Sequence, residues 1–192
     1  MHAALELESE AQRALLAGHK ERARELFGAA AAHYRASWEL ASPTSYGRLI
    51  GMQKAAILGG GGQEEARYVQ SALEELDEIT PTAAYALAIS DLVLGAQAAA
   101  LERARAMRAG GDAFERTAEA IEALAQRQAQ RYAAAVQAIV TDFERRREHL
   151  TGVPIADTAL MLQELARRAA IAADLHSDLL GGGSHAEGPG ER

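Results

Sequence analysis

The stretch T-P-T-A-A-Y-A-L-A-I-S-D-L-V-L-G, Thr80 to Gly95, is followed by a second apolar-periodic run that ends near Met107. After the break at Gly110-Gly111 the pattern returns as D-A-F-E-R-T-A-E-A-I-E-A-L-A, Asp112 to Ala125, and then as a run from Tyr132 to Phe143. Apolar residues recur every three to four positions in all four runs, the period of one face of a helix. The unit is helix, short polar or glycine break, helix, with alanine where two helices must touch. This pattern predicts a helical repeat, and the rest of the chain extends it in both directions.

The composition agrees. Of 192 residues, 45 are alanine, the strongest helix former and the one whose methyl group lets helices approach closely. Apolar residues make up 48%, charged residues 24% and aromatics only 5%, a folded composition and not a disordered one. The net charge is −7, which argues against binding a phosphate backbone, so no nucleic-acid partner is expected. Without cysteine there is no disulfide, thiolate metal site or cysteine nucleophile. The first residues, M-H-A-A-L-E-L-E-S-E, carry acids where a secretory leader carries bases and an apolar core. No apolar run reaches the roughly 18 residues of a membrane span. A cytoplasmic protein that does not engage a membrane is expected.

Taken in order, the periodicity predicts helices over Ala3–Ala17, His19–Leu40, Thr44–Leu58 and Gln63–Ile79, then two more reaching Leu94 and Ala109. Gly18 and the Gly59–Gly62 run stop the first and third. Ser42-Pro43 and Thr80-Pro81 carry the signals that open helices: a capping hydroxyl, then a proline whose missing N–H costs nothing at the first position. Asp112 with Glu115 has the spacing of a capping box and opens the seventh. An eighth helix over Gln128–His149 places Arg145, Arg146 and Arg147 at its partially negative end. A ninth, Ile155–Ala170, shows the stripe Ile155, Ala159, Leu162, Ala166 and is expected to pack on the seventh and eighth near Ile121, Leu124, Val136 and Ile139. The segment from Gly181 to Arg192 lacks apolar residues to bury and is expected to be disordered, leaving residues 1–180 as a single helical-repeat domain.

Pro43 and Pro81 lie 38 residues apart, and Pro154 follows 73 residues later, close to two such steps. The start at Asp112 supplies the midpoint. A helix–turn–helix repeat of this length marks an α-solenoid. Its units resemble the tetratricopeptide (TPR) family through Leu16-Ala17-Gly18, Ala30, Tyr34 and Pro43, then Leu58-Gly59 and Pro81. Leu94-Gly95, and Leu124-Ala125 with Tyr132, carry the resemblance through the third and fourth units. It covers roughly residues 5 to 150. H-L-T-G-V-P-I-A-D-T-A-L-M-L-Q-E-L-A is also similar to the C-terminal ends of uncharacterised prokaryotic TPR-like proteins. The resemblance implies an all-α fold of antiparallel helix pairs, stacked as a short right-handed solenoid with a C-terminal capping helix.

No catalytic, cofactor-binding or metal-binding residues emerge. The Gly59–Gly62 run lacks the lysine and hydroxyl residue of a phosphate loop, and no strand precedes it. Histidines 2, 19, 33, 149, 176 and 185 never pair at helical spacing, and Glu-x-x-His is missing, so a di-iron bundle lacks its ligands. Glu74-Glu75 and Glu119-Glu122 read as solvated helix faces, and Phe27, Tyr34 and Trp38 as core. His176-Ser177-Asp178 is packed too tightly in sequence to form a triad. A non-enzymatic protein-interaction module without cofactor is therefore expected, an adaptor or regulator. The resemblance implies a concave groove for a partner segment lined by Gln12, His19, Arg22, Gln53, Glu119 and Glu122. The lysine–asparagine pattern of chaperone-binding members is not present. The competing expectation is a structural protein that associates with itself, forming a homo-oligomer through its end helices.

Overall fold

The computed structural model describes residues 1–181, and among them it is all-helical, with no strand. The helices are α1 (His2–Leu16), α2 (Lys20–Glu39), α3 (Gly47–Leu58), α4 (Gln63–Ala72), α5 (Pro81–Leu94), α6 (Gln97–Met107), α7 (Asp112–Ala125), α8 (Ala129–Glu144) and α9 (Asp157–Arg168). Short 3₁₀ turns follow α6 at Arg108–Gly110 and close the described chain at Asp178–Leu180. The tail expected to be disordered lies, apart from Gly181, outside the described residues.

The strongest local signals act as the sequence suggests. Thr80 accepts a hydrogen bond from the Ala83 N–H at 3.2 Å, and Pro81 takes the first helical position. Gly95 leaves α5 at φ 78°, and Gly18 leaves α1 at φ 80°, left-handed conformations that a β-carbon makes costly. No helix described is long and apolar enough to cross a membrane.

Four boundaries differ from expectation. Ser42-Pro43 does not open α3: the Ser42 hydroxyl meets Thr44 Oγ1 at 3.1 Å, and the Ser42 carbonyl accepts from the Ser45 N–H at 2.9 Å, making a turn before Gly47. Asp112 is the first helical residue and caps nothing. Gly111 at φ 93° precedes it, and Asp112 and Glu115 serve the first turn only by charge. Helix α4 stops at Ala72, short of Ile79, because Glu74, Glu75, Asp77 and Glu78 would crowd negative charge at its negative end. Helix α8 stops at Glu144, short of His149. There Arg146 turns back to Asp142, with Nη2–O 2.6 Å, and lies over the Phe143 ring, 3.7 Å from its centroid.

Consecutive helices pack on one another, and α3 also contacts α5, which contacts α7. Helix α5 is buried continuously from Ala83 to Asp91, as a helix that is apolar almost all round must be. Around it meet two apolar clusters, one drawn mainly from α1–α4 and the other from α6–α9. Ala104 and Ala120 are fully buried in the second. Gly51 sets the closest approach of α2 to α3: a β-carbon there would stand 2.7 Å from the Tyr34 ring.

The expected stripe of α9 is buried, Ile155, Ala159, Leu162 and Ala166 together with Leu160, Met161 and Leu165. Its place differs from that of a cap on the last pair alone. It packs on α7 and α8 but also on α3, far back in the chain. Polar anchors explain the reach. Lys54 of α3 pairs with Asp157, and Arg168 donates to the carbonyls of Gly61 and Ile57 at 3.1 and 3.4 Å. Gln163, a polar residue outside that stripe, is buried too. It accepts from the Tyr132 hydroxyl at 3.1 Å and the Ala173 N–H at 3.0 Å, and donates to the Ala173 carbonyl at 2.6 Å.

Four large apolar side chains of α9 leave water, each worth about 1.5–3 kcal/mol. Truncation after Gly152 is therefore expected to lower the melting temperature strongly and to raise binding of an apolar dye. An equally stable, dye-silent fragment would show that α9 is not structural.

Candidate functional site

Between α1, α3, α5, α7, α8 and the segment leading into α9 lies a cavity of about 220 Å³. Its inner end is polar. Glu8 of α1 sits on the buried face it shares with Ala4 and Ala11, and it accepts a hydrogen bond from the Tyr34 hydroxyl at 2.5 Å. Lys54 of α3 pairs with Asp157 and donates to Thr158 Oγ1 at 3.3 Å. The other Asp157 oxygen accepts from the Thr158 N–H at 2.7 Å. The Tyr85 hydroxyl of α5 is buried with no hydrogen-bond partner within 3.5 Å among the described residues, the Thr158 side chain being a near neighbour.

Toward the mouth, Arg116 of α7 and Arg146 share one carboxylate, that of Asp142, each with an N–O distance of 2.6 Å. Phe114, Ile139, Phe143, Val153 and Ile155 supply the apolar wall, and Leu150 stands at the rim, 79% exposed. The loop before α9 is tied to α1 through Thr151: its carbonyl accepts from Ser9 Oγ at 3.0 Å, and its hydroxyl donates to the Gln12 side chain.

Burial governs the protonation of this inner end. It pushes the Glu8 carboxyl up from the ordinary glutamate range, while Lys54 and the Tyr34 hydroxyl pull only partly the other way. Burial likewise raises the Tyr34 and Tyr85 phenols, both of which stay neutral. For Lys54 burial works against the charge, but the Asp157 carboxylate beside it, foremost among its neighbours, holds the ammonium above its ordinary range. Lone ions would cost several kcal/mol each in this interior, so the Lys54–Asp157 pair is tolerated because the two meet.

The residues expected to line a groove are dispersed. Gln12 reaches the cavity, with only 2% of its surface exposed. Gln53 is 1% exposed, donating to the Ala86 carbonyl at 2.9 Å and accepting from Ser90 Oγ at 2.8 Å, so it joins α3 to α5. His19 and Arg22 lie exposed at the start of α2, where Arg22 pairs with Glu25 at 3.2 Å. Glu119 and Glu122 hold the guanidinium groups of Arg108 and Arg131, with contacts from 2.5 to 3.1 Å. Only Gln12 among the six belongs to the cavity.

Sequence reading missed Glu8, Lys54, Tyr85, Arg116 and Asp142. For Glu8 a signal existed: it stands four residues after Ala4 and three before Ala11, a charge on the apolar side of α1. No set of three or more histidine, aspartate or glutamate side chains able to hold a metal ion occurs among the described residues. No known family, curated protein or solved structure matches the chain.

Because the folded state raises the Glu8 pKa, it binds that proton more tightly than the unfolded chain does. Stability from this group is present at acid pH and is lost as pH rises through the raised native value. Glu8→Gln should therefore gain stability relative to the parent as pH climbs from the ordinary glutamate range toward neutrality. Thermal melts across that range test it, and a constant difference between the two proteins would contradict it.

Proposed function

We propose that this chain is a non-enzymatic protein-interaction module whose partner segment docks at the cavity mouth and inserts one side chain. The observation that carries the reading is the cavity itself, with the unpartnered Tyr85 hydroxyl at its inner end. Its volume of about 220 Å³ lies below the roughly 300–1,000 Å³ of sites that enclose a whole drug-sized ligand, and it suits a single large side chain. Exposed Leu150 at the rim gives a docking segment apolar area to cover.

In this reading α1 to α8 form a short TPR-like stack of antiparallel pairs, with α1, α3, α5 and α7 as the inner row. The contacts of α3 with α5 and of α5 with α7 support such a row. The chain's own segment from Thr151 through α9 lies across part of it, on α1, α3 and α7. The partner surface thereby narrows from a long groove to the cavity.

Ala113 lines the mouth and is exposed, so Ala113→Trp should cover the opening without disturbing the core. Capture from a host lysate on immobilised protein is expected to retain a partner with the parent chain. Ala113→Trp should lose it by about tenfold or more, an effect of about 1.4 kcal/mol, at an unchanged melting temperature. Retention of the chain's own copies alone, insensitive to Ala113→Trp, would favour self-association instead.

A further inference from the structure

The hydrogen-bonding capacity left at the inner end of the cavity is on the donor side. An ammonium group has three N–H donors, and Lys54 spends two, on Asp157 and Thr158. The Tyr85 hydroxyl meets no acceptor within 3.5 Å among the described residues, with Thr158 its near neighbour. Both Asp157 oxygens are taken, one by Lys54 and one by the Thr158 N–H. One Glu8 oxygen holds the Tyr34 hydroxyl, and the other remains an acceptor on a carboxyl whose charge burial opposes, so spare donors outnumber spare acceptors. An incoming group that satisfies this end must accept hydrogen bonds.

Charge does not oppose such a group. The lining carries three cations, Lys54, Arg116 and Arg146, against Asp142, Asp157 and the desolvated Glu8. Two guanidiniums divide a single carboxylate at Asp142. In a chain of net charge −7 this lining is formally balanced, three cations against three carboxylates, so its charge does not repel an anion. The wall between the inner end and the rim is apolar and partly aromatic, through Phe114, Phe143 and Ile139.

Resting on the reading of the cavity as the binding site, we infer that it takes a small organic monoanion. The ligand has a compact aromatic or branched apolar body and a carboxylate directed at Lys54 and Tyr85. The carboxylate completes the third donor of Lys54 and gives the Tyr85 hydroxyl its missing partner. The body displaces water from the apolar wall. Such an anion can be a free acid or the end of a partner segment, and the chemistry recognised is the same.

Calorimetric titration of the full chain with phenylacetate and with the neutral phenylacetamide tests this. A carboxylate accepts stronger, charge-assisted hydrogen bonds than an amide carbonyl, so phenylacetate should bind at least about tenfold tighter than the amide. Tyr85→Phe removes a buried, unpaired hydroxyl, so the variant should melt no lower than the parent yet weaken phenylacetate binding severalfold. Equal binding of acid and amide, no binding of phenylacetate, or a Tyr85→Phe variant with unchanged affinity overturns the inference.

If the anion inference fails while Ala113→Trp still abolishes partner capture, the reading of the cavity as the binding site stands. If phenylacetate binds as expected but Ala113→Trp leaves it unaffected, the anion lies elsewhere and the inference falls, while partner capture still decides the reading of the cavity. A tripeptide ending in phenylalanine with a free carboxylate separates the two sources. Binding as tight as that of phenylacetate assigns the anion to a partner segment. Binding of phenylacetate alone supports a free acid and overturns the inserted-segment reading.

Discussion

Lys54 and Asp157 stand 103 residues apart in sequence and meet inside the protein. Neither is tolerable there alone, since an unpaired ion in such surroundings costs several kcal/mol. The pair therefore constrains more than its own geometry. For Lys54 to be satisfied α9 has to lie on α3, and for α9 to lie there the segment from Thr151 has to cross α1. The cavity is bounded on that side by this crossing. A buried pair of this kind adds little net stability compared with apolar residues of equal size. What it contributes here is position, because an apolar α9 could slide along the alanine-rich faces beneath it.

Around the pair the interior divides its tasks. Alanine provides close approach, and the large side chains Tyr34, Tyr132, Met161 and Leu162 fill what alanine leaves. Tyr34 does both structural and polar work. Its ring packs against Gly51, which fixes the spacing of α2 and α3, and its hydroxyl holds Glu8. The polar groups of the cavity come from helices distant in the chain, yet nearly all bond to one another. Tyr85 stands out among them, a buried hydroxyl with no partner within 3.5 Å among the described residues.

The helices were legible in the sequence because their signals are local. A 3.6-residue period, Thr80-Pro81 and the glycines at 18 and 95 act within a turn or two of where they stand. Boundaries failed where a local signal had a competitor. The hydroxyl of Ser42 found Thr44 rather than a helix N–H, and the acids after Ala72 opposed an extension that periodicity alone favoured. The candidate site was largely illegible for a different reason. Lys54 resembles any surface lysine until Asp157 is brought to it, and no spacing rule connects positions so far apart. Gln53 shows the converse: a residue expected to face a partner is consumed in joining α3 to α5.

The crossing of α9 over α3 also orders events as the chain folds. Contacts among α1 to α8 run mostly between neighbours, so little loop entropy opposes them. Docking of α9 on α3 closes a loop of more than a hundred residues, and its last polar anchor, Arg168, is reached only after the other α-helices have been made. During synthesis the inner faces of α3 and α7 must therefore wait uncovered, with Lys54 still in water. The same distant contact that gives the mature protein its cavity leaves the nascent chain with its most adhesive surface exposed for longest.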